Sequence, residues 1–135
     1  MDNQFKTVPD GQYTQTIYSL IRDQKYHDVI NILNNELQFQ PRNRAALSLL
    51  GYCYFQIQDY PNSSDMYDQL TKFFPDVDQY KLYHAQSLFK AGMYQDAQRV
   101  AQQIDNPEYA DRILQLQINV QYELEEIAHA KTLIS

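Results

Sequence analysis

Three histidines, one cysteine and 17 acidic side chains are the groups in this chain that could hold a metal or carry out catalysis. Their spacing does not bring that chemistry together. His27, His84 and His129 share no ligand spacing, and there is no His-Glu-x-x-His, no Cys-x-x-Cys and no glycine-rich phosphate loop. Cys53 stands between Tyr52 and Tyr54 with no adjacent Lys, Arg or His to stabilise a thiolate, so it reads as a small buried hydrophobe and not as a nucleophile. The carboxylates are scattered in the manner of solvated helix faces. The expectation is a protein with no catalytic residues, no cofactor, no metal and no small-molecule substrate. The aromatic residues behave differently. Among 12 tyrosines and 6 phenylalanines, Tyr26, Tyr60 and Tyr94 recur 34 residues apart, and rings at a fixed interval can build a binding surface.

The elements that would position those rings follow from the same interval. Sliding the chain by 34 residues superposes Pro41 on Pro75, aligns Gly51 with Ala85, Val29 with Ser63 and Ala97, and Leu20 with Tyr54 and Leu88. The second unit reads Leu47-x-x-Leu50-Gly51-x-x-Tyr54, then Ser63-x-x-x-Tyr67, then Pro75, which is the tetratricopeptide pattern with Leu for the first Trp and Ser for the Ala. Each position has a physical reason. Gly51 lets helix A approach helix B, and Ser63 and Ala97 supply the small contact from helix B. The recurring tyrosine opens helix B, where its ring fills the wedge between the helices. Proline ends helix B by removing a backbone donor and restricting the residue before it. Asp59 and Asn106 stand as caps before Pro61 and Pro107.

These observations predict an all-α fold, a right-handed α-solenoid of tetratricopeptide helix-turn-helix repeats numbering about three and a half. The predicted organisation is an N-terminal arm (1–9), repeats at 10–43, 44–77 and 78–110, and a partial fourth at 107–135. In the fourth, Ile127, Ala130 and Ile134 are expected on a helix B one residue early in register. The stretch 127–134 lacks the polar face of a solenoid cap, so the array is expected to be cut short at its C-terminal end.

Composition agrees with this architecture. The chain of 135 residues has only 3 glycines and 5 prolines, too few for a turn-rich β fold. There is no apolar run long enough to span a bilayer and no secretory signal, so membrane insertion is not expected. The net charge of −6, without a basic cluster, argues against nucleic acid as a partner.

In stacked helix pairs, helix A lines the concave face of the superhelix. Counting along helix A, the inward positions give Tyr18, Tyr52 and Gln86, then Ile21, Phe55 and Phe89, with Leu49 and Tyr83 beside them. These eight residues are the expected partner-binding set. The groove they form is aromatic and neutral, with Arg22 and Lys90 as cations at its edge, and suits an extended apolar or proline-containing protein segment. Each ring could instead pack on a neighbouring helix. A carboxylate clamp of the co-chaperone kind is disfavoured, because the matching positions Thr14, Tyr18, Leu49, Gln79 and Tyr83 include neither cation nor Asn.

Beyond the repeat, the runs Val8-Pro9-Asp10-Gly11, Leu20-Ile21-Arg22-Asp23, Leu47-Ser48-Leu49-Leu50-Gly51-Tyr52-Cys53-Tyr54, Gln79 through Leu88 and Asp105-Asn106-Pro107 closely resemble, in this order and spacing, the N-terminus of the Fleer family. That family supplies the tetratricopeptide-repeat subunit of intraflagellar transport complex B. The resemblance implies a ciliary scaffold whose superhelix wraps a proline-containing segment of a neighbouring core subunit. It also implies a requirement for cilium assembly, residence at the basal body and on axonemal transport trains, and a link to tubulin polyglutamylation. The alternative left by the residues alone is a cytoplasmic tetratricopeptide adaptor of some other, non-ciliary assembly.

Overall fold

The structure, a computed structural model, describes residues 10–134, and the side chains of 14–134; the expected N-terminal arm at 1–9 lies outside the described residues. Seven α-helices follow one another: α1 (Asp10–Arg22), α2 (Tyr26–Phe39), α3 (Arg44–Gln56), α4 (Tyr60–Phe73), α5 (Asp78–Lys90), α6 (Tyr94–Ala101) and, after a 3-10 turn at Pro107–Tyr109, α7 (Ala110–Ile134). Each helix packs on the next, and α5 also touches α7, so the described residues form an all-α solenoid of tetratricopeptide type.

The turns are set by local chemistry that repeats every 34 residues. Helices α1, α3 and α5 each end on a residue in the left-handed region, Gln24 (φ 61°), Gln58 (φ 65°) and Gly92 (φ 82°). The amide after each donates back to a carbonyl in the last turn: Lys25 to Leu20 (2.8 Å), Asp59 to Tyr54 (2.9 Å) and Met93 to Leu88 (2.9 Å). This six-to-one bond is the Schellman closure, which satisfies carbonyls that a helix end would otherwise leave orphaned. A helix B begins two residues later in each case, at Tyr26, Tyr60 and Tyr94. The cap at Asp59 forms as expected, its carboxylate accepting from the Asn62 amide at 3.3 Å. Asn106 accepts from the Glu108 amide at 3.0 Å, and the element it caps is the 3-10 turn leading into α7.

The core lies between the helices. Leu47, Leu50 and Cys53 of α3 and Leu70 of α4 have no solvent exposure and form one cluster with Val29, Leu33 and Ile17. Full burial of each leucine contributes about 1.5–3 kcal/mol before entropy is counted. A second cluster joins Ala85 and Leu88 of α5, Ala97 and Val100 of α6, and Leu116 and Val120 of α7. The close A–B contact falls where the repeat places it. A Cβ on Gly51 would stand 2.6 Å from the ring of the buried Tyr67. The Ser63 hydroxyl donates to the Gly51 carbonyl at 2.8 Å, so the small residue of helix B is also a hydrogen-bonded one. Between repeats, Arg44 donates to the Tyr80 hydroxyl at 2.6 Å and stacks over Phe74.

The fourth unit differs from expectation. The segment holding Ile127, Ala130 and Ile134 is not a separate helix B, because α7 runs unbroken for 25 residues. Two physical reasons account for this. Leu124-Glu125-Glu126, where a turn is due, contains good helix formers and no Gly, Asn or Asp. The Ile127-Ala128-His129-Ala130-Lys131 run that follows carries no Gly or Pro to break the helix either. In consequence Leu114, Ile118 and Tyr122, four residues apart on one face of α7, remain exposed.

His84 sits in the packed layer, half-buried between α4 and α5, with its Nε2 4.0 Å from an Asp68 oxygen. Burial pulls its pKa below the ordinary 6.5; the Asp68 carboxylate opposes the shift, and Arg99 and Lys72 reinforce it. The folded chain therefore takes up this proton at lower pH than the unfolded chain does. Between the two pKa values the unfolded state binds more protons, so stability rises with pH and is lost as pH falls through 6.5. The expected result is a lower urea midpoint at pH 5.5 than at pH 7.5, with a smaller difference in His84→Gln; equal differences in both proteins would contradict it.

Candidate protein-binding groove

The partner-binding residues expected from the repeat come together along the helices α1, α3 and α5. A cavity of about 450 Å³ between α3 and α5 is lined by Leu49, Tyr52, Phe55, Tyr83 and Gln86, together with Ser48, Tyr67 and Ser87. A second, of about 310 Å³, lies between α5 and α7 and shares Phe55 and Gln86 with the first, adding Phe89 and Lys90. A third, of about 110 Å³, holds Tyr18, Thr14 and Leu49 at the α1 end. Leu49 lines both the third and the first, so the three cavities adjoin in a row along the helices α1, α3, α5 and α7. Seven of the eight expected residues line it. Ile21 lines none of these cavities and packs against the core of the first two repeats.

The rings are held in place by other rings. Phe55 meets Tyr60 edge-on at 5.1 Å between centroids, Phe89 meets Tyr94 at 5.4 Å, and Tyr52 meets Tyr26 at 6.2 Å. Each of the three periodic tyrosines therefore buttresses a groove aromatic as well as opening a helix B. The Schellman turn explains the pairing: it folds the chain back between Phe55 and Tyr60, and again between Phe89 and Tyr94. Tyr83 packs on Tyr67 at 5.4 Å, and its hydroxyl accepts from Gln79 at 2.9 Å. Burial pushes the Tyr67 phenol well above its ordinary range, keeping it neutral beside the groove. Such edge-to-face pairs contribute about 0.5–1.5 kcal/mol beyond area burial and fix ring orientation before any ligand arrives.

Free aromatic surface nonetheless remains. Tyr18 is 56% and Tyr52 41% exposed, although both are large apolar groups beside a cavity. Rings presented on rigid helices lose little entropy on binding, which is the property of a preorganised docking surface. Nothing comparable supports catalysis. Cys53 is buried and its thiol is pushed up to about 11 by that burial. Among the described residues no group of three His, Cys, Asp or Glu side chains could hold a metal ion, and no helix is long and apolar enough to cross a membrane.

Other groove residues escaped the sequence reading. Tyr67 and Ser87 are repeat-core positions whose edges also reach the cavity. Arg112, Gln115 and Asn119 come from α7, the helix on which the 34-residue pattern is weakest.

The sequence profile described as Intraflagellar transport protein 56 matches residues 47–131. Intraflagellar transport protein 70A of Xenopus laevis is 50% identical over 129 residues, covering 96% of this chain and 20% of that protein. Intraflagellar transport protein 70B of Rattus norvegicus is 43% identical over 127 residues, covering 94% of this chain and 19% of that protein. The chain thus spans about a fifth of the length of the curated relatives it matches.

Proposed function

From a chain that belongs to the Intraflagellar transport protein 56 family, and is therefore an intraflagellar transport protein of the cilium or flagellum, we propose a non-enzymatic scaffold that binds another subunit of its transport complex in the groove of α1, α3, α5 and α7. The observation that carries this reading is the row of adjoining cavities. Leu49, Phe55 and Gln86 each belong to two adjoining cavities, so one extended segment can cross all three. The lining is mostly aromatic, aliphatic and amide, which suits an apolar, proline-containing strand of a core subunit of complex B. Such a segment is already extended, and rings that are already fixed meet it at low entropic cost. On this reading the requirement in cilium assembly is for holding the complex together, and any tie to tubulin polyglutamylation acts indirectly through transport. Family membership sets aside the non-ciliary adaptor.

The test is purification of the epitope-tagged chain from ciliated cells followed by mass spectrometry. Complex B core subunits should be enriched over an untagged control; their absence, with the chain expressed and folded, would contradict the proposal.

A further inference from the structure

The groove has two chemically different ends. The cavity between α3 and α5 contains no charged residue. The cavity between α5 and α7 contains Lys90 and Arg112 beside Gln115 and Asn119, and no carboxylate. The α1 end contains Glu36 and no cation.

What sets the two cations apart is their place: among the described residues Lys25, Arg42 and Arg44 also lack an ion pair, but only Lys90 and Arg112 line a groove cavity. Arg22, Lys72, Lys81 and Arg99 each pair with an aspartate one to four residues away. Lys90 and Arg112 are exposed, and among the described residues neither has a carboxylate within ion-pair distance. The positions three and four residues from Lys90 are Gln86, Ser87, Met93 and Tyr94, so its own helices offer it no acid. The Arg112 guanidinium lies over the Tyr109 ring at 5.9 Å, and a ring face occupies none of its five N–H donors as an ion pair would.

We propose that the segment bound in this groove carries an Asp or Glu that pairs with Lys90 and Arg112, and that this contact fixes the direction in which the segment lies. The inference rests on the groove reading above and adds to it the chemistry and polarity of the occupant. Neighbouring helices are about 8–10 Å apart, and an extended chain advances about 3.3 Å per residue. The acid therefore lies about three residues from the apolar side chain seated between Tyr52 and Tyr83. Glu36 at the α1 end repels an acid there, which disfavours the reversed orientation.

The test is selection of phage-displayed random 16-residue peptides on the whole chain, followed by anisotropy titration of the selected sequences at low salt. Asp or Glu should be enriched about three positions from an apolar or proline residue. Lys90→Gln combined with Arg112→Gln should weaken those peptides about five- to tenfold, and added salt should narrow the difference. Tyr52→Ala with Phe55→Ala should weaken acidic and neutral peptides alike. Selected peptides that lack acidic enrichment but still need Tyr52 and Phe55 would overturn the charge inference and leave the groove reading standing. Peptides indifferent to Tyr52 and Phe55 would overturn both. A chain that selects no peptide, or whose groove is filled by a second copy in a concentration-dependent dimer, would likewise overturn both.

Discussion

Gly51→Leu will lower the free energy of unfolding by about 3 kcal/mol, the upper part of the range for overpacking a well-filled interior. The first added carbon alone would meet the Tyr67 ring at 2.6 Å, well inside van der Waals contact. Retreat of the ring toward the groove cavity that its edge lines would break its packing against Tyr83 and the core. Gly51→Ala isolates the effect. In an exposed helix that change would stabilise by about 1 kcal/mol through backbone entropy; here it should destabilise, because the steric term exceeds the propensity gain. Pairing Gly51→Ala with Tyr67→Ala removes the obstructing ring. The double variant should then be no less stable than Tyr67→Ala alone, which by itself costs about 3–5 kcal/mol. Urea denaturation of the four proteins gives the coupling directly. Additive losses would mean that the A–B contact is not steric, and that the register of the repeat is misplaced.

Tyr52→Ala together with Phe55→Ala will weaken binding of the partner segment by about 30-fold or more, the scale of losing a buried aromatic anchor. Both residues line the central cavity, and Phe55 also lines the one beyond it. The same change releases Tyr26 and Tyr60 from their ring contacts, so a stability loss of about 1–3 kcal/mol should accompany it. Helicity by circular dichroism should be retained, since Leu47, Leu50 and Cys53 of the same helix remain buried. Isothermal titration with the bound segment checks the affinity. Unaltered affinity would mean that these rings serve only the neighbouring helices.

Much of the fold was legible because one physical constraint recurs at one interval. Gly51, Ser63 and Tyr67 are spaced as a close helix pair requires, and the structure brings them into contact. The groove was legible for the same reason: once Tyr52 is placed, helical geometry places Phe55, and the repeat places Gln86 and Phe89. Ile21 occupies the position of Phe55 and Phe89 yet is half-buried against the core and lines none of the three cavities. Periodicity failed at α7. The 34-residue interval marks a turn by a left-handed residue at Gln24, Gln58 and Gly92, but Gln24 and Gln58 are ordinary helix formers, so the turns there depend on packing from both sides. At the matching place in α7, Glu125 and Glu126 continue the helix. The sequence pattern shows a turn's local residues and does not show the neighbour that stabilises it. Arg112, Gln115 and Asn119 were missed, and with Arg112 the second cation that stands with the expected Lys90 at one end of the groove.

Whether the concave groove is where this chain meets its transport complex is decided most directly by site-specific photocrosslinking. A benzophenone amino acid at Gln86, shared by two cavities, samples the groove, and the same group at Asp28, exposed on α2, samples surface outside the three cavities. In ciliated cells the Gln86 probe should crosslink to one complex B core subunit and the Asp28 probe should not. Crosslinking of that subunit from Asp28 and not from Gln86 would contradict the account.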